Sequence, residues 1–245
     1  MDFNFTTLGT ASALPTNSRY PSAHVLNIRG RLFLIDCGEG TQMLLFRYGF
    51  SILKIDNIFI SHLHGDHCFG IFGLLSSMGM KGRTSKLTIH APAVFKDVLD
   101  MFLRHFEGDA IKYEIVHNVL DGSVRGELSK IFESRNIEVY SFPLNHRVPT
   151  YGFLFREKVP ALNVVKSKIE EYHLTLKEIA LLKNGQDVDR GDGVTLKATE
   201  FTYRPFRPRS FAYCSDTAPF KELATVVAGV DLLYHEATFA SDLES

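Results

Sequence analysis

The stretch Ser61-His62-Leu63-His64-Gly65-Asp66-His67 follows directly on the apolar run Ile58-Phe59-Ile60. Four side chains with metal-binding atoms fall within it at H-x-H-x-D-H spacing. His62 and His64 are two residues apart, so in an extended segment they share a face. Gly65 permits a sharp turn, which places Asp66 and His67 at the mouth of the next element. That element carries Phe69, Ile71, Phe72, Leu74 and Leu75 in a helical pattern, which anchors the loop to a core. A strand end followed by a turn can point all four into one small volume. Imidazole nitrogens with a carboxylate oxygen suit zinc and similar divalent ions, so the pattern points to a hydrolytic metalloenzyme.

The rest of the chain agrees with a layered α/β fold. It has 245 residues, 45% hydrophobic and 22% charged, enough to bury a sizeable core. Short β-rich runs are expected at 3–8, 23–28, 31–35, 57–60, 86–89, 137–143, 152–155, 210–214 and 231–234. Helices are expected at 68–80, 92–106 and 221–228, with 128–132 as a further short candidate. Residues 156–200 form a long polar excursion with several lysines and three glycines. Within it Thr175 and Glu178 make an S/T-x-x-E capping box for one short helix, which Gly185 is placed to end.

A net charge of −1 excludes a global basic field, so a polyanion partner must be held by a local patch. The cysteines are Cys37, Cys68 and Cys214, odd in number and far apart. A reducing cytoplasm is expected rather than a disulfide framework. The N-terminus has no signal-peptide pattern, and no run approaches the ~18 apolar residues of a membrane span, so no membrane partner is expected.

Further ligands are sought at the ends of later strands. His146 follows the run Val139 to Asn145, and Asp216 follows Phe211 to Ser215. Either position is able to face the crevice that holds the first cluster.

Four motifs carry a resemblance. They are Leu8-Gly9-Thr10-Ala11-Ser12-Ala13-Leu14-Pro15-Thr16 with Arg19, then Leu34-Ile35-Asp36-Cys37-Gly38-Glu39-Gly40-Thr41. The third is Phe59-Ile60-Ser61 running through the histidine cluster to Cys68-Phe69-Gly70. The fourth is Ser215-Asp216-Thr217 with His235-Glu236-Ala237-Thr238. With these the chain resembles the metallo-β-lactamase superfamily and, within it, the ribonuclease Z family of tRNA 3'-processing endonucleases. The resemblance runs over nearly the whole chain. It implies a four-layer αββα sandwich of two mixed β-sheets with outer helices, in a single domain over 1–245. A tRNA-binding arm would be inserted at about 156–200.

The same resemblance implies a ligand set. His62, His64 and His146 would hold one zinc, Asp66 and His67 a second, and Asp216 would bridge them, with manganese or another divalent metal as the alternative. A water activated between the ions would attack phosphorus in line and free a tRNA 3'-hydroxyl. Asp66 is the implied proton acceptor. His235 is the implied catalytic group at the leaving ribose oxygen. The implied partners are precursor tRNA and a second copy of the chain. Arg19, Lys166, Lys168, Arg204, Arg207 and Arg209 are the candidate RNA contacts, the last three interleaved with Tyr203 and Phe206. Family members continue past the His-Glu-Ala-Thr motif to a last metal-binding histidine. The expectation is therefore a fragment lacking C-terminal elements. Two alternatives stand beside the endonuclease: another hydrolase of the superfamily acting on small phosphodiesters or esters, and a catalytically impaired tRNA-binding fragment.

Overall fold

The computed structural model describes residues 2–12, 16–17, 19–107, 111–191 and 193–237. Ala13-Leu14-Pro15 of the first motif and Thr238 of the fourth lie outside them. The chain forms two compact units. The larger spans 1–132, 139–155 and 211–245; the smaller spans 133–138 and 156–210.

In the larger unit, β1 (Phe3–Gly9), β2 (Ala23–Ile28), β3 (Arg31–Cys37), β4 (Ile55–Phe59), β5 (Leu87–Pro92) and β6 (Ile115–Leu120) form one sheet in that order. β1, β2 and β3 are antiparallel neighbours; β3 to β6 run parallel. The β2–β3 hairpin turns at Arg29 (φ 55°) and Gly30 (φ 83°). Two successive positive φ values match the twist of the flanking strands, and Gly30 takes its value without a Cβ penalty. β4 is buried at Ile55, Asn57, Ile58 and Phe59, as a parallel strand inside a layered sheet is, and Asn57 is satisfied there by His90.

A second sheet carries β7 (Ser129–Glu133), β8 (Ile137–Pro143) and β9 (Tyr151–Glu157). After the elements of the smaller unit it adds Ser210–Cys214 and Leu232–His235, which pair in parallel. The order across it runs from Leu232–His235 through Ser210–Cys214, β9 and β8 to β7. Phe33 and Phe59 of the first sheet meet Phe132, Phe153 and Phe155 of the second at ring distances of 5.2 to 5.7 Å. Each such ring contributes roughly 1.5–3 kcal/mol by leaving water. Outside the first sheet lie α1 (Thr41–Arg47), α2 (Gly65–Cys68), α3 (Ile71–Met80) and α4 (Phe95–Phe102), with α1, α3 and α4 closing one core. Helix Lys221–Val226 closes another against Phe142, Leu154 and Ala212. The layers are therefore αββα, the expected fold class.

Several local expectations are corrected. Residues 128–132, expected as helix, contribute strand β7, because sheet pairing and the Phe132 contacts override the local pattern. The helix expected at 68–80 breaks at Phe69-Gly70, where Gly70 N donates to Cys37 O at 2.8 Å. A Cβ on Gly70 would lie 2.0 Å from Gly38 O, so the loop and the end of β3 touch backbone to backbone. The helix expected from Pro92 begins at Phe95, since Pro92 ends β5, and 103–107 close it as a wider π turn. α1 and β6 were not expected. α1 has seven residues around the short apolar run Met43 to Phe46, a length at which periodicity cannot separate helix from strand.

The smaller unit has its own core of Leu174, Leu182, Val188, Leu196, Ala198 and Phe201. It holds three short helices, α5 (Lys166–Glu171), α6 (Leu176–Lys183) and α7 (Ala198–Phe201), where one was expected. The Thr175–Glu178 capping box is formed, and Gly185 ends α6 at φ 77°.

Two histidines between the sheets are held neutral. His90 stacks on Phe59 at 4.4 Å, donates from Nε2 to Asn57 Oδ1 and accepts at Nδ1 from Asn118 Nδ2. Burial, then the nearby His117, pushes its pKa down to about 3. Burial likewise pushes His24 to about 4 against a partial pull from Asp36. The unfolded chain takes up these protons near pH 6.5 and the folded chain does not. Stability should therefore be complete above that pH and fall below it, by up to about 1.4 kcal/mol per pH unit for each group. Denaturant titrations from pH 7 to 4.5 check this: His90→Gln should flatten the fall, and an unchanged slope would refute it.

Candidate metal centre

Ser61 and His62 follow the C-terminal end of β4, an interior strand of the first sheet, and His64 precedes α2 in extended conformation. The loop after β8 delivers His146, and the loop after Ser210–Cys214 delivers Asp216. His62, His64, His146 and Asp216 each offer one ligand atom, all within 4.8 Å of one another. His62 Nε2 and His64 Nδ1 stand 3.0 Å apart. Asp216 Oδ2 lies 3.8 Å from His62 Nε2 and 3.9 Å from His146 Nε2. The other Asp216 oxygen faces a second group: Oδ1 is 3.5 Å from His67 Nε2, which is 3.7 Å from Asp66 Oδ2. One carboxylate thus spans two ligand sets.

This donor set fits a divalent cation. His146 Nε2 is buried with no hydrogen-bond partner, aimed among the other ligand atoms. Burial, together with the charge of His67, pushes the His62 pKa down to about 3 and keeps its lone pair available. Burial, reinforced by Glu236 and Asp66 against the pull of His67, raises Asp216 to about 6. His67 behaves oppositely. Burial disfavours its charge, but Asp36, Asp216 and Asp66 override that and lift it to about 9. The positive charge these carboxylates draw onto His67 as a proton is charge that a metal ion brings instead.

Asp36, to which the sequence motifs assign no role, organises the ring behind the ligands. It is the penultimate residue of β3, with φ 54°, and is fully buried. Its Oδ1 accepts from Ser61 N at 2.8 Å. Its Oδ2 meets His67 Nδ1 at 2.7 Å, Tyr213 Oη at 2.7 Å, Ser61 Oγ at 3.1 Å and Ser22 Oγ at 3.2 Å. Burial alone would raise its pKa, but these partners, His67 first, hold it well below the usual carboxylate range. Fixing Nδ1 of His67 leaves Nε2 to face Asp66 and Asp216, the arrangement by which outer partners orient metal-binding histidines. Ser61 Oγ also meets His62 Nδ1 and Ser215 Oγ, both at 3.0 Å. The available signal was the strand-end position of Asp36 in the second motif.

His235 lies apart from the ligands. It is exposed at the end of its strand, with Nδ1 2.6 Å from Glu236 O, and lines a cavity of about 530 Å³ with Thr10, Thr16, Arg19 and Tyr234. Among the remaining candidate RNA contacts, Arg209 is committed to buried Glu157 through Nε and Nη2 at 2.9 and 3.0 Å. Arg204 donates to Pro160 O, and Lys168 to Glu200 O while lying over Phe201. Lys166, Arg204 and Arg207 are exposed.

Residues 3–163 match a protein family described as Anti-Pycsar protein Apyc1. Ribonuclease Z of Parabacteroides distasonis is 39% identical over 243 residues, covering 98% of this chain and 77% of that protein. Ribonuclease Z of Phocaeicola vulgatus is 42% identical over 233 residues, covering 95% and 74%. Among solved structures, human tRNase Z, short form, aligns with a TM-score of 0.66 and 25% identity, over 97% of this chain and 79% of that one.

Proposed function

The chain belongs to the ribonuclease Z family, and from that premise we propose that it is a zinc-dependent endoribonuclease that removes the 3' trailer from tRNA precursors. The observation that carries this reading is the convergence of His62, His64, His146 and Asp216 within 4.8 Å, with His67 and Asp66 on the far side of Asp216. His62, His64 and His146 would hold one zinc, Asp66 and His67 a second, and Asp216 both. When bound, such ions supply Lewis acidity and lower the pKa of water from roughly 15.7 to about 7. Asp66 takes the proton of the attacking water. His235 gives a proton to the ribose 3'-oxygen as the P–O3' bond breaks. The products are a tRNA 3'-hydroxyl and a trailer with a 5'-phosphate.

Arg19, in the His235 cavity, supports a place for the nucleotide before the cut. Lys166, Lys168, Arg204 and Arg207 of the smaller unit supply phosphate contacts in an arm that grips tRNA. The reading includes a homodimer, supported by exposed Met43, Phe46 and Met80 on α1 and α3. It also includes a cytoplasmic setting, supported by three free, buried cysteines. Among the described residues no helix is long and apolar enough to cross a membrane.

Incubating a 3'-extended tRNA precursor with the zinc-loaded protein tests the reading. Mature-length tRNA should appear and a chelator should abolish it; an intact precursor overturns the proposal. His235→Ala should lose about 10²–10⁴-fold in rate with its metal content unchanged. Loss of metal in that variant would refute the role given to His235.

A further inference from the structure

A second cavity, of about 430 Å³, opens beside the metal ligands. Its wall includes His146, Asp121, Ser123, Arg125, Arg147 and Tyr151. It shares no lining residue with the cavity that holds Arg19 and His235. Two separate grooves therefore flank the ligand set. One starts at His146; the other contains Glu236, which hydrogen-bonds Asp216. Both have the size of sites that take a small ligand.

The two arginines of the His146 groove are held differently. Arg125 donates from Nη2 to Asn145 Oδ1 at 2.7 Å and lies over the Phe220 ring at 5.9 Å. Asn145 precedes His146; its N donates to Thr217 Oγ1 at 3.0 Å, and its O accepts from Ala218 N at 2.8 Å. Arg125 is thereby anchored to both loops that carry His146 and Asp216. A guanidinium has five N–H donors, so the bond to Asn145 leaves its fork able to bind an oxyanion. Arg147 follows His146 and is exposed, with no hydrogen bond or ion pair to any described residue. Asp121, the one carboxylate of the lining, lies near Tyr151. Two arginines against one carboxylate, beginning at a metal ligand, favour an extended anion that enters the metal centre.

The direction of the chain through this groove follows from the products. When the P–O3' bond breaks, the leaving oxygen belongs to the upstream nucleotide and the phosphorus stays with the downstream one. The proton donor to that oxygen, His235, stands in the other cavity, which therefore takes the upstream nucleotide. We propose that the groove past His146 binds single-stranded RNA downstream of the cut, with Arg125 and Arg147 on the phosphate that follows the scissile one. The direction rests on the proposed function; the anion-binding character rests on the groove itself.

A short 5'-phosphorylated oligoribonucleotide with a fluorescent 3' label tests the groove by anisotropy on the zinc-loaded chain, with no cleavage required. The double variant Arg125→Ala, Arg147→Ala should bind it about ten-fold more weakly. Its slope of log affinity against log salt should be shallower by about 0.7, since one phosphate is no longer neutralised. Affinity for mature tRNA, which has no trailer, should stay within about two-fold, and Arg→Lys replacements should restore part of the oligonucleotide binding. Unchanged oligonucleotide affinity in the double alanine variant overturns the proposal. Equal losses on oligonucleotide and mature tRNA overturn it too, since they would mark a general charge effect. Failure of the unmodified chain to cut a precursor overturns the proposed function, while loss of oligonucleotide binding in the double variant still upholds the groove.

Discussion

Asp216→Ala is expected to lose bound metal and phosphodiester hydrolysis together. One oxygen of Asp216 faces His62 and His146, and the other faces His67. Its two oxygens link the two groups, so its removal takes a carboxylate from each of them. Several kcal/mol of transition-state stabilisation should go with it, on the order of 10³-fold in rate. Asp216→Asn separates charge from shape. It keeps the hydrogen-bonding outline but withdraws one negative charge, and should fall between alanine and the native residue in metal content. Elemental analysis alongside a turnover assay decides the matter. A variant that keeps both its metal and its rate would refute the bridging assignment.

The second large effect is expected at Asp36, which would not touch substrate or metal. Asp36→Ala strips a buried acceptor from Ser61, Tyr213, Ser22 and His67 at once. Removing one partner from such a buried pair costs about 3–5 kcal/mol, read as a lower denaturant midpoint in the metal-free protein. Asp36→Asn is the gentler variant. It preserves volume but no longer holds the Nδ1 proton of His67 with a charged acceptor, so metal affinity should fall by about 10–100-fold. Metal titration on folded Asp36→Asn is the discriminating measurement. Native affinity in that variant would mean that Asp36 only supports the fold.

The legible and illegible parts of the chain divide by distance along it. His62, His64, Asp66 and His67 were readable because their spacing puts them in one turn. His146 and Asp216 could be suspected from their strand-end positions, but only the resemblance tied them to the first cluster. The ring behind the ligands stayed hidden. Asp36 and Tyr213 are separated by 177 positions, and no local periodicity links a strand-end carboxylate to a phenol that far away. Residues 128–132 failed for a related reason. Their strand character comes from sheet neighbours and from the Phe33–Phe132 contact, not from their own alternation. α1 was hidden by brevity, and the pairing of Arg209 with Glu157 by the 52 positions between them.

The backbone contact between Gly70 and Gly38 has a consequence for metal exchange. It keys the histidine loop to the end of β3, while Asp36 and Ser61 already aim the rings. The side chains of the centre are therefore oriented by contacts within the polypeptide, where a zinc finger depends on the metal for its fold. The more these contacts fix the ligand side chains, the less ordering entropy an entering ion has to cover. Imidazole and carboxylate donors accept several first-row ions, with intrinsic affinity following a fixed order across the series. Which ion fills this centre should then depend on that order weighed against the supply of each divalent ion in its surroundings.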